Sequence, residues 1–258
     1  MKRSPFPGVV SLGAALALLA PVAAGAQTPG GQYFVVHQEV AKPSMVKEYE
    51  SASKEFVAMV KANKAKMPHF SFNCLASPDF TYTFVAPIPN LAGMDAINAD
   101  FGALAQSAGA SFADLNKRSG AATEYIKEWI IQLVPELSYS PAEPRAQGAP
   151  RYFHYDLYYV MPGREAEAEA VGTEYVKLFK AKGIKNGYNV YKIVMGPEMP
   201  AYIVSVGATG AADYQAAGAN AATLGGPELQ SLSARTSALT RRFETREATA
   251  RPDLSVPR

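Results

Sequence analysis

The chain has 258 residues, of which 48% are hydrophobic, with 25 Lys and Arg set against 23 Asp and Glu. That near balance excludes the clustered basic excess that nucleic-acid binding requires. A single cysteine, Cys74, excludes an intramolecular disulfide, so apolar burial must hold the fold.

Lys2-Arg3, an apolar run from Val9 to Ala24, and Ala24-Gly25-Ala26 match the three parts of a cleaved signal peptide over residues 1–26. Pro5, Pro7 and Pro21 shorten the apolar run below the roughly 20 residues that a spanning helix needs, so stable membrane insertion is not expected. Loss of Lys2 and Arg3 leaves 23 basic residues against 23 acidic ones. The expectation is an exported chain, periplasmic or extracellular, of a size that can bury two cores.

A repeat organises the rest. Tyr33-Phe34 and Pro43 recur as Tyr152-Phe153 and Pro162, 119 positions later, and Pro135-Glu136-Leu137-Ser138 recurs as Pro252-Asp253-Leu254-Ser255, 117 positions later. The copies span 27–138 and 151–258, and Pro141, Pro144, Gly148 and Pro150 mark 139–150 as a linker.

In chain order, YFVVHQEVA (33–41) and YFHYDLYYV (152–160) predict a strand that opens each copy. Tyr49, Ala52, Phe56, Met59 and Val60 then fall at helical spacing, as do their counterparts Ala168, Val171, Tyr175, Leu178 and Phe179. Hairpins follow: His69 to Leu75 with Phe80 to Ala86, and Tyr188 to Met195 with Tyr202 to Val206. Ala-rich stretches, Leu91 to Ala108 and Ala211 to Leu224, predict second helices; Tyr125 to Leu133 and Arg241 to Glu247 predict closing strands.

The order β-α-β-β-α-β in each copy is the split βαβ, ferredoxin-like unit, an α+β fold with helices on one face of an antiparallel sheet. Two such bare sheets can cover each other within one chain. In this duplicated order the chain resembles the dimeric α+β-barrel superfamily, which includes antibiotic-biosynthesis-type monooxygenases, NIPSNAP-like proteins and chlorite dismutase-like haem proteins. The resemblance implies an intramolecular barrel and, in its haem-binding branch, an axial histidine, for which His37 or His154 would be the candidate.

Strand alternation splits each opening strand into two faces. Phe34, Val36, Gln38 and Val40 share one side, as do Phe153, Tyr155, Leu157 and Tyr159. Tyr33, Val35, His37 and Glu39 share the other, matched by Tyr152, His154, Asp156 and Tyr158. Helices want an apolar sheet face, so the second set is expected to line a lumen between the sheets. There His37 with Glu39 and His154 with Asp156 are the candidate acid-base pairs. Tyr33, Tyr152 and Tyr158 are the candidate ligand-binding side chains.

No metal-ligand spacing, P-loop, G-x-S-x-G or dinucleotide fingerprint occurs, so no metal or cofactor is expected beyond the haem alternative. Trp129, His69 and Cys74 are read as packing, loop and inert core residues. The leading expectation is a small-molecule binder. Its alternatives are a cofactor-independent monooxygenase- or isomerase-like enzyme that uses His37 or His154, a haem barrel, and a structural protein whose outer surfaces pair as a homo-oligomer.

Overall fold

The computed structural model describes residues 31–144 and 148–257. The proposed signal peptide and part of the proposed linker lie outside them.

Opening strands β1 (Tyr33–Ala41) and β5 (Tyr152–Val160) coincide with the predicted runs. Helices α1 (Val46–Ala62) and α3 (Glu165–Ala181) are of equal length and 119 positions apart. The hairpins are β2 (Asn73–Ala76) with β3 (Thr81–Ile88), and β6 (Asn189–Met195) with β7 (Ala201–Ala208). The closing strands are β4 (Thr123–Leu133) and β8 (Thr240–Ala250).

The second helices, α2 (Gly93–Ala122) and α4 (Ala211–Leu239), run about fifteen residues beyond the Ala-rich stretches. Each turns a corner at a glycine, Gly109 (φ 49°) or Gly226 (φ 53°), 117 positions apart. Only glycine reaches that left-handed region without a Cβ clash, so the helix continues after a bend that periodicity alone does not reveal. Pro227 then starts the second segment of α4, where its missing N–H costs no helical bond.

The eight strands close into one barrel in the order β1-β3-β2-β8-β5-β7-β6-β4. Within each module all pairs are antiparallel, and the modules join where β4 meets β6 and β2 meets β8. The repeated Pro-(Glu/Asp)-Leu-Ser endings cross over as well. Tyr139 bridges to Tyr188 and Val256 to Phe72, which tucks buried Leu137 and Leu254 against the opposite module. Residues 251–257 are thereby docked, with Arg251 paired to Glu50. No described helix is long and apolar enough to cross a membrane.

Which strand face meets which layer is the reverse of the sequence expectation. Phe34, Val36, Leu157 and Tyr159 cluster with Val85, Ile131, Tyr191 and Ile203 between the sheets, and Phe153, Tyr155 and Gln38 also face that lumen. Tyr33 and Val35 pack on the helix side, and Tyr152 lies against Tyr214 of α4. Both faces of β1 are buried, so apolarity does not tell them apart. The lumen takes the β1 face that is apolar apart from Gln38, because His37 and Glu39 of the other face find partners on β4 and α1.

Candidate functional site

In the first module, His37 is 4% exposed and lies between two carboxylates on the helix side of the sheet. It donates from Nδ1 to Glu128 Oε1 (2.6 Å) and from Nε2 to Glu39 Oε1 (3.0 Å). Glu39, fully buried, accepts through Oε2 from the Tyr49 hydroxyl of α1 (2.5 Å). Burial opposes the imidazolium charge, but the hydrogen bonds to Glu128 and Glu39 outweigh it and push the His37 pKa up to about 9. Burial also pushes the Tyr49 phenol up, and the His37 hydrogen bond holds Glu128 below the usual carboxylate range. These side chains satisfy one another, and Tyr49, Phe56, Phe70, Phe72 and Leu104 fill the space around them. The cluster is packed on its inner side at His37 and Glu39 and reaches solvent at Glu128.

The corresponding positions of the second module are Asp156 for His37, Tyr158 for Glu39, Thr245 for Glu128 and Ala168 for Tyr49. His154 Nε2 lies 3.2 Å from Asp156 Oδ1 and 2.9 Å from Thr245 Oγ1, and its Nδ1 is buried without a partner. The imidazole stacks on Tyr214 at 4.3 Å between centroids. The predicted pairs His37–Glu39 and His154–Asp156 therefore both form, but in separate clusters on the helix side, not together in the lumen.

Beside the second cluster, between the sheet and helices α3 and α4, lies a cavity of about 290 Å³. Its wall includes Tyr158, Tyr175, Tyr188, Tyr202, Tyr214 and Ala168. Of the sequence-nominated residues only Tyr158 lines it. Tyr33 and Tyr152 do not, and Tyr175, Tyr188, Tyr202 and Tyr214 went unrecognised as site residues. Their signal lay in the alignment of the copies: Ala168 stands where Tyr49 fills the first module.

The hairpin and helix registers extend that comparison. Phe101 and Leu104 of α2 correspond to Gly218 and Ala221 of α4, Phe84 of β3 to Val204 of β7, and Phe70 to Asn186. All four second-module residues line the cavity. Two changes run the other way, Val60 to Phe179 and Ile97 to Tyr214, and both put an aromatic ring on the wall.

Burial first, reinforced by nearby carboxylates or phenols, raises the pKa of Tyr158, Tyr188 and Tyr202, and pushes Tyr214 up to about 12. These side chains stay neutral phenols at physiological pH. Tyr202 donates to Glu169 Oε1 (2.5 Å), whereas the buried Tyr188 hydroxyl has no partner.

The residues present do not fit a histidine-ligated haem. None of the three histidines lines the cavity: His37 is held by two carboxylates, His154 stands behind Tyr214, and His69 contacts Asp100 at the surface. Cys74 is buried in the first core, where burial pushes its thiol up. No three His, Cys, Asp or Glu side chains converge as a metal site among the described residues.

No protein-family model matches the chain, and no curated protein matches it in sequence. Its fold does match solved structures. An anthrone oxidase-like protein superposes with a TM-score of 0.56 at 13% identity, covering 86% of this chain and 92% of that one. A putative monooxygenase from Fusobacterium nucleatum gives 0.54 at 12% identity, with 86% and 94% covered. Chlorite dismutase from Candidatus Nitrospira defluvii, in complex with imidazole, gives 0.52 at 12% identity, with 88% and 93% covered. The likeness shows the fold, an α+β barrel of two ferredoxin-like halves, and here both halves are supplied by one duplicated chain.

Proposed function

We propose that this is an exported protein that binds a small, mostly apolar, ring-bearing molecule between the sheet and the helices of its second module. The observation that carries the reading is the set of five reductions in side-chain size at equivalent positions: Tyr49 to Ala168, Phe101 to Gly218, Leu104 to Ala221, Phe84 to Val204 and Phe70 to Asn186. Emptying a core in this way costs about 24 cal/mol for each Å³ left open. A cavity lined by neutral tyrosines suits an aromatic body with one or two oxygen acceptors, and the unpartnered Tyr188 hydroxyl is a donor for one of them. Export rests on Lys2-Arg3, the apolar run and Ala24-Gly25-Ala26.

The test is native mass spectrometry of the protein from the exported fraction, followed by titration with naphthol read by its own fluorescence. A co-purifying organic mass, or saturable one-to-one uptake of naphthol, supports the reading; neither occurring contradicts it. N-terminal sequencing that begins at Gln27 supports export, and a retained Met1 contradicts it.

The buried, unpartnered Nδ1 of His154 favours a second reading, cofactor-independent chemistry on the bound molecule, in which the Tyr214 ring that separates His154 from the cavity turns aside and His154, oriented by Asp156, moves a proton. The solved structures of similar fold include proteins described as monooxygenases and as anthrone oxidase-like. Oxygen uptake with anthrone that disappears in His154→Ala while naphthol binding persists supports this reading. Equal rates in mutant and wild type remove it.

A further inference from the structure

The barrel lumen holds a second, smaller cavity of about 100 Å³, apart from the module cavity above. Tyr155 of β5 sits directly opposite Ser205 of β7 on one side and Arg246 of β8 on the other, so the three form a row across three adjacent strands. All three line the lumen cavity. The same row in the first module is Val85, Val36 and Trp129.

An apolar rung has thus become a hydroxyl, a phenol and a guanidinium in the second module. Ser205 is 2% exposed, and neither its Oγ nor the buried Tyr155 hydroxyl has a partner. Two buried hydroxyls without partners are costly, about 1–3 kcal/mol each, unless something accepts from them. Arg246 donates Nη2 to Glu244 Oε2 (3.0 Å), a carboxylate that also contacts Arg242 (3.1 Å). That contact engages one of the five N–H donors that a guanidinium carries.

The geometry points to a second binding site, in the lumen, for the carboxylate of a small organic acid. Its oxygens accept from Arg246, Tyr155 and Ser205, and its short carbon chain lies against Leu75, Phe153 and Ile203. Three convergent donors, one of them charged, match a carboxylate, which is acceptor-only. The lumen cavity is about 100 Å³, which suits an acid with a short carbon chain.

The test is isothermal titration of the full mature protein with sodium propionate at constant ionic strength, with propanol and sodium chloride as controls. Saturable binding of propionate alone is expected, with at least a tenfold loss in Arg246→Gln and a smaller loss in Ser205→Val and Tyr155→Phe. Those two conservative variants should fold, so they keep the test decisive if Arg246→Gln does not. No saturable propionate binding, equal affinity in all three variants, or a crystal structure in propionate with ordered water alone in the lumen would overturn the proposal. Naphthol binding is a separate readout, so either site can fail without the other.

Discussion

The two modules have one topology, yet they use the space between sheet and helices in opposite ways. In the first, α1 presents Tyr49 to the buried Glu39 and His37, which pair outward to Glu128, and phenylalanines close the remaining volume. In the second, Ala168 replaces Tyr49, Gly218 and Ala221 replace Phe101 and Leu104, and the volume stays open. Duplication lets one copy carry stability while the other departs from dense packing, a division that two identical subunits cannot make.

Emptying the filled copy is the largest expected effect. Tyr49→Ala removes a fully buried ring and a hydrogen bond to Glu39, and should lower the unfolding free energy by about 3–5 kcal/mol in urea denaturation. Loss of less than about 1 kcal/mol would show that the first module is not the rigid half. His37→Ala follows, because it leaves the buried Glu39 charge without its cation, at about 3 kcal/mol.

The same cluster sets a pH dependence. His37 is raised in the folded protein, so its contribution is fully present below its unfolded pKa near 6.5 and is lost as pH rises through about 9. Denaturation midpoints measured across that window should fall in wild type and flatten in His37→Gln; parallel curves would contradict the cluster.

Smaller effects belong to the open copy. His154→Ala, with one ring nitrogen engaged and the other without a partner, should cost about 1 kcal/mol, less than its counterpart cluster. The smallest effect is one that the modules share. Arg118 contacts Glu55 and Arg235 contacts Glu174 at the same exposed position of each helix pair. Glu55→Gln and Glu174→Gln should leave the denaturation midpoint unmoved in both.

The architecture was legible because it rests on periodicity and repetition. Residues 33–41 and 152–160 read as strands from composition alone, and the helical spacing after each proline located α1 and α3. The layers were not legible from β1, because His37 and Glu39 look like lumen residues until Glu128 and Tyr49, distant in sequence, come alongside them. Burying charge beside a helix is tolerable only with such partners, and one strand's pattern cannot supply them. The cavity was half legible. Ala168 opposite Tyr49 was present in the alignment of the copies, but Gly218 and Ala221 lie in α4, where an Ala-rich run signals helix and says nothing about the volume beside it.

The most direct measurement is naphthol affinity in wild type and in Ala168→Tyr, which returns the first module's side chain to the second. Saturable binding by wild type, with at least a tenfold loss in a variant that keeps its denaturation midpoint, is the expected result. Equal affinity in the two proteins would contradict the assignment of the ligand to the second module's cavity.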